Sequence, residues 1–230
     1  MIQSARWALR HLDYRFNSPE LLELALTHKS SAAKNNERLE FLGDAVLGCA
    51  VADALFRQEG GADEGTLSRM RALLVRRETL AELASAMALG EQLRLGSGEM
   101  QSGGHRRASI LADALEAVIG AVFLDGGFAA AQALVQRIYA TKLLELPAPD
   151  SLKDPKTLLQ EKLQAEAVGI PEYAVASETG PDHNRRFVVE CRIAERNLLT
   201  RGKGVSRRRA EQAAAAAALQ ALDGEVPGAP

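Results

Sequence analysis

Glu37, Glu40 and Asp44 lie in Asn36-Glu37-Arg38-Leu39-Glu40-Phe41-Leu42-Gly43-Asp44, which opens a long helical pattern continuing through the almost wholly apolar Ala45 to Ala52. At about 100° per residue the three acids fall within an arc of roughly 60°, so one helix face carries three carboxylates. The second instance is sharper: from Ser109 to Leu124 every residue after the first is apolar or glycine except Asp113 and Glu116, three apart on one face. A helix apolar all round is a buried helix, and an ionised carboxylate within it is costly unless a cation or hydrogen bonds compensate. Arginine ion pairs, with Arg38 or Arg71, are one answer; two acid clusters on two apolar helices favour a metal ion. Carboxylates without neighbouring His or Cys are hard oxygen ligands, suited to Mg2+ or Mn2+ rather than zinc or copper. The four histidines are scattered and no Glu-x-x-His pattern occurs, which argues against a di-iron bundle. An oxygen-only site suits phosphoryl chemistry, in which metal ions activate water and neutralise charge on the leaving oxygen.

The elements that must hold these acids are helical. Apolar spacing predicts helices near 20–26, 37–58, 64–75, 77–88, 109–125 and 128–146, with no convincing strand. Breaks are expected at Gly60-Gly61, across the glycine-rich stretch Gly96 to Gly104, and at Gly126-Gly127. Leu146-Pro147-Ala148-Pro149-Asp150-Ser151 reads as a linker. After it the pattern changes. A helix from about Pro155 to Ala167 precedes strands at Tyr173 to Ser177, Phe187 to Ala194 and Leu198 to Gly202. In the middle strand Phe187, Val189, Cys191 and Ile193 alternate with Val188, Glu190 and Arg192. A final helix starts at a Ser206 cap and runs through the alanine-rich Ala213 to Leu222. The expected fold is an all-α domain followed by a small α-β-β-β-α domain.

The chain has 230 residues, 47% of them hydrophobic and 25% charged, which excludes disordered, collagenous and disulfide-scaffold classes. A formal net charge of −2 gives no global argument for a polyanionic partner, so any such argument is local. Residues 151–230 carry 12 basic and 11 acidic side chains and residues 1–150 carry 16 and 19, leaving +1 and −3. Cys49 and Cys191, the two cysteines, sit in apolar or alternating runs and are expected as free, buried thiols in a reducing compartment. Met1 to Phe16 lacks the order of a signal peptide, and the strongest apolar run, Val118 to Leu124, is too short to span a bilayer, so a cytoplasmic protein with no membrane partner is expected.

Asn36 to Asp44 resembles the signature of bacterial ribonuclease III. The resemblance continues in order through Asp63-Glu64-Gly65, Leu67-Ser68-Arg69-Met70-Arg71, Ser102-Gly103-Gly104 and Ser109-Ile110-Leu111-Ala112-Asp113, and the carboxy-terminal region resembles a double-stranded-RNA-binding domain. It implies a catalytic domain over 5–127 with a closing helix to about 146, a linker over 147–153 and a binding domain over 154–224. It also implies Glu40, Asp113 and Glu116 as ligands of Mg2+, with Mn2+ as a substitute. By the same resemblance Asp44 and Glu116 are expected to be the residues most directly tied to catalysis, with Glu37 and Glu64 as supporting acids in the cleavage groove. The implied reaction is hydrolysis of double-stranded RNA by water, leaving 5′-phosphate and 3′-hydroxyl ends, in processing of ribosomal RNA precursors and some messengers. In similar proteins an aromatic at Phe41 plugs into a second subunit, which implies a homodimer; an ordinary core phenylalanine is the alternative.

For duplex binding, Ser206-Arg207-Arg208-Arg209 brings three guanidinium groups to the positive end of a helix dipole and resembles the family's phosphate clamp, with arginines where lysines are usual. His183, in the loop Gly180 to Phe187, resembles a residue that enters the minor groove, and Thr157, Gln160, Glu161 and Gln164 resemble the helix face that touches 2′-hydroxyls. Together such elements span about 16 base pairs of A-form duplex. Arg106 and Arg107 offer a further RNA contact, although a flexible connector is the simpler reading of their segment. The rival functions are a non-cleaving regulator that binds double-stranded RNA and a metal phosphohydrolase acting on small nucleotides. Intact Glu40, Asp44, Asp113 and Glu116 argue against the first, and the second domain argues against the other.

Overall fold

The computed structural model describes residues 2–147, 153–181 and 185–224. The chain divides into two units, Met1–Pro147 and Ala148–Pro230. In the first, the helical spacing produces α1 (Ile2–His11), α2 (Pro19–Ala25), α3 (Glu37–Gln58), α4 (Glu64–Leu74), α5 (Arg77–Ala86), the short α6 (Ser97–Gln101) and α7 (Ala108–Leu144). α1 lies before the first helix that the apolar spacing predicts. Trp7, Ala8 and Leu12 bury its inner face, and Trp7 Nε1 donates to the Met87 carbonyl at 2.7 Å. The pattern is short, with arginines on its outer face, so it is weak by itself.

α7 is the centre of this unit. Ala112, Ala114, Leu115, Val118, Ile119 and Val122 are buried, and α2, α3 and α5 pack on it. It is long and apolar enough to cross a membrane by length and composition, and contains the Val118 to Leu124 run, but here that apolarity is the core of a helical domain. The expected break is at Gly127, whose φ of 77° is outside helical geometry. Asp125, just before it, accepts from Tyr14 Oη, Asn17 N and Ser18 N at 2.8 Å each, tying the α1–α2 connection to the kink. The Gly96 to Gly104 stretch is a built segment rather than a flexible connector: α6 lies within it, and Arg107 pairs with Glu99 at 2.9 Å.

The second unit has α8 (Pro155–Ala165), β1 (Glu172–Thr179), β2 (Arg186–Ile193), β3 (Leu198–Gly204) and α9 (Arg207–Gly224). The strands pair antiparallel in the order β1-β2-β3, with an irregularity between Val175 and Ser177. Val189, Cys191 and Ile193 form the buried row of β2, and Cys191 and Ile193 pack in one core with Leu159 and Leu163 of α8 and Ala214, Ala215, Ala218 and Leu222 of α9. The alanine run matters because α9 sits almost on the backbone of β3: a Cβ at Gly202 would lie 2.1 Å from Ala214 N. β1 and β3 extend two residues beyond the expected ends, where ladder bonds continue past the apolar positions. The expected linker falls largely outside the described residues.

Candidate active site and nucleic-acid interface

α3 starts where its sequence anchors it. The Asn35 side chain accepts from Glu37 N at 3.0 Å, while buried Asn36 donates through Nδ2 to Ala25 O and through its backbone N to Thr27 O. These bonds fix the first turn against the end of α2 and so fix Glu37 and Glu40. Two glycines then bring α3 onto α7. A Cβ at Gly43 would stand 1.8 Å from the Glu116 carbonyl oxygen, and one at Gly120 would stand 2.4 Å from the Leu39 carbonyl oxygen. The backbones meet where side chains would otherwise hold them apart, and the acids on both helices converge beside the contact.

Carboxylate oxygens of Glu40, Asp113 and Glu116 all lie within 4.8 Å of one another, each residue half-buried. Burial, then repulsion from Asp44, Asp113 and Glu40, pushes Glu116 from its ordinary 4.5 to about 8, against the opposing charge of Arg77. Glu40 is raised by burial and by Asp113, Glu37 and Asp44, with Lys29 opposing; Asp113 is raised by burial against Arg77, Lys29 and His28. Three desolvated carboxylates that resist ionisation form a site short of positive charge, and their hard oxygens fit a divalent cation. Glu37 and Asp44 are exposed at its rim. Glu64 is not gathered into this group: it opens α4, exposed, and accepts from Ser68 Oγ at 2.8 Å.

The cations facing these acids are not the arginines expected from the sequence. Arg38 and Arg71 are exposed, whereas Lys29 pairs with Glu37 at 3.1 Å and Arg77 faces Asp113 and Glu116. Both come from neighbouring elements, and nothing in the helix periodicity marks them; the basic His28-Lys29 pair just before the acidic helix is the one available signal. Buried Tyr139, which also faces Glu116, donates to Leu74 O at 3.2 Å, and burial raises its pKa.

Phe41 is 82% exposed and Phe56 73% exposed, so Phe41 is no core residue of this chain. Ala45 and Cys49 lie between them on the same exposed face of α3. The expectation that both thiols are buried therefore fails at Cys49: its apolar neighbours belong to a stripe turned outward, while Cys191 is buried in the sheet.

In the second unit Ser206 Oγ accepts from Arg209 N at 3.2 Å, the capping bond expected at the start of α9. Arg207, Arg208 and Arg209 are exposed, and Arg207 pairs with Glu211 at 3.0 Å. Lys156, unmarked in the sequence, pairs with Glu211 at 2.8 Å, lies 4.3 Å from the Tyr173 ring centroid, and through its backbone N donates to Gln212 Oε1. These contacts set the first turn of α8 beside that of α9. Gln160, Glu161 and Gln164 are exposed on α8, with Glu161 held by Lys153 at 2.6 Å. Thr157 is half-buried, its N donating to Asp154 at 3.1 Å. His183 lies outside the described residues.

Residues 18–143 match the family model described as ribonuclease-III-like. The chain belongs to the ribonuclease III family. Residues 155–222 match the double-stranded RNA binding motif, so this member joins an endoribonuclease domain to a double-stranded-RNA-binding domain. It is 54% identical to ribonuclease 3 of Ralstonia nicotianae over 95% of this chain and 85% of that one. With ribonuclease 3 of Pseudomonas syringae pv. tomato it shares 57% identity over 93% of each. Among solved structures, the nuclease domain of ribonuclease III from Campylobacter jejuni is 40% identical, with a TM-score of 0.59, over 62% of this chain and 97% of that one. The family is metal-dependent, which agrees with an oxygen-only site of three converging carboxylates.

Proposed function

We propose that this endoribonuclease hydrolyses double-stranded RNA with Mg2+, or Mn2+ in its place, held by Glu40, Asp113 and Glu116, leaving 5′-phosphate and 3′-hydroxyl ends. The observation that carries the reading is the convergence of those three carboxylates within 4.8 Å beside the Gly43–Gly120 contact. Glu40, Asp113 and Glu116 would hold the divalent ion, which would supply activation of a water and neutralisation of charge on the leaving oxygen. Asp44, exposed one turn beyond Glu40, takes up the proton released as water attacks. Glu116 joins the second acidic helix to the site, and Glu37 and Glu64 keep the cleavage groove polar at its edges. Residues 5–127 with the helix to about 146 act as the catalytic domain, 147–153 as the linker and 154–224 as the binding domain.

Thr157, Gln160, Glu161, Gln164, His183 and Ser206 to Arg209 hold the duplex by its shape and phosphates. Phe41 inserts into a second copy, so that two sites address two antiparallel strands. The exposed stripe from Phe41 to Phe56 supports this, as does a Campylobacter jejuni ribonuclease III nuclease domain described with a region involved in dimer formation. Ribosomal RNA precursors and some messengers in the cytoplasm are the substrates. The test is a grid of long duplex RNA, single-stranded RNA and duplex DNA, each with and without Mg2+. Cleavage of duplex RNA alone, with Mg2+ alone, is expected; metal-independent cleavage or cleavage of duplex DNA overturns the reading.

A further inference from the structure

Five carboxylates, those of Glu37, Glu40, Asp44, Asp113 and Glu116, confront a substrate that is itself a polyanion, and a bound divalent ion offsets only part of that repulsion. Among the described residues, the basic side chains facing them come from two places. Arg77, the first residue of α5, faces Asp113 and Glu116. In the α2–α3 connection, His28 faces Asp113, and Lys29 faces Glu40 and Asp113 with its Nζ 3.1 Å from Glu37 Oε1.

The backbone around Lys29 is pinned from both sides. Thr27 pairs with Arg94 in a short parallel bridge; His28 N donates to Arg94 O at 3.0 Å, and Arg94 N donates to Leu26 O at 2.8 Å. Gly96 N donates to Ser30 Oγ at 2.9 Å, and a Cβ on Gly96 would lie 2.3 Å from Ser30 O, so the two segments touch along their backbones. The Lys29 side chain is nevertheless 63% exposed. A fixed main chain thus presents a solvent-facing ammonium at the edge of the acids, and an exposed ion pair of this kind is worth little by itself and exchanges readily.

We propose that Lys29 seats a phosphate of the strand being cut: its ammonium rests on Glu37 in the free enzyme and exchanges that carboxylate for a phosphate oxygen of the duplex. The seated charge screens the phosphate from Glu37, Glu40 and Asp113. This rests on the reading of the acids as a metal-dependent site for duplex RNA. A lysine suits the role, being a compact charge on a flexible stem that follows an oxygen without a bidentate geometry.

The same charge repels a divalent cation at Glu40, Asp113 and Glu116, so removing it acts oppositely on the two ligands. In the full chain, Lys29→Met is expected to bind Mn2+ about two- to fivefold more tightly by calorimetry without RNA. Its single-turnover cleavage of an RNA duplex of about 25 base pairs at saturating Mg2+ falls about tenfold, the scale of one charge-assisted contact. Lys29→Arg keeps the charge and behaves like the wild type in both measurements. The proposal is overturned if Lys29→Met cleaves normally at saturating Mg2+, if it loses both metal affinity and cleavage, or if Lys29→Arg is equally impaired. Glu116→Gln is measured alongside. Normal Mn2+ binding and cleavage in that variant removes the metal-site reading, whereas loss of both with an unaffected Lys29→Met removes the role of Lys29 alone.

Discussion

The two units handle charge in opposite ways. In the first, Glu40, Asp113 and Glu116 are half-buried on apolar helices; burial raises the pKa of all three, and repulsion from neighbouring acids adds to it at Glu40 and Glu116. In the second, Glu211 is held below the usual carboxylate range by Lys156 and Arg207; Asp154 is held low by bonds from Gln212, Thr157 and Lys156 that outweigh its burial. The Glu40, Asp113 and Glu116 cluster of the first unit is short of cations, whereas the second unit leaves Arg208 and Arg209 exposed at a helix start. A site that must capture a small cation is built strained and partly dry, whereas a surface that must meet a long polyanion is built solvated, with its own acids already paired.

The largest expected effect separates the two units outright. Glu116→Gln lowers single-turnover cleavage of duplex RNA at least about a hundredfold, the scale of losing one preorganised electrostatic group, with duplex affinity in a gel-shift assay nearly unchanged. Comparable losses in both assays would mean that the acids also hold the RNA.

Replacing Arg207, Arg208 and Arg209 with Ala is the converse. Binding weakens, and the slope of log K against log salt falls by about two, at roughly 0.9 for each phosphate no longer neutralised. The Arg207–Glu211 pair competes with the RNA for one of the three guanidinium groups, which brings the fall nearer two than three. An unchanged slope would show that the start of α9 touches no phosphate.

Gly43→Ala probes the contact that gathers the acids. Its Cβ must displace the Glu116 carbonyl, so calorimetry should show about 1–3 kcal/mol of destabilisation together with weaker Mn2+ binding. Wild-type stability would mean that α3 and α7 separate without cost.

The same difference is read in the pH dependence of Tm without divalent ions. Glu116 titrates near 4.5 when unfolded and near 8 when folded, so between those values the folded state holds the extra proton and stability falls as pH rises. Mg2+ at pH 8 should restore it. Asp154 and Glu211 have the other sign: they stabilise above the ordinary carboxylate range and lose that stabilisation as the medium becomes acidic. A Tm that rises with pH from 5 to 8 in the metal-free full chain would contradict the difference between the units.

Spacing along the chain determined which face of each element carries what: Glu37, Glu40 and Asp44 on one arc of α3, Asp113 and Glu116 as the polar breaks in α7, the buried row Val189, Cys191 and Ile193, and the Ser206 cap. These are properties of a 3.6- or 2-residue repeat and need no partner to be read. Which faces meet is a through-space matter. Tertiary packing decided that Gly43 and Gly120 let two backbones touch, and that Lys29 and Arg77 rather than Arg38 and Arg71 face the acids. It also decided that Glu64 stays apart and that Phe41 and Cys49 point outward. The sequence holds no distance between α3 and α7; that distance is set where a missing side chain lets the helices close, and it turns acids on two helices into one site.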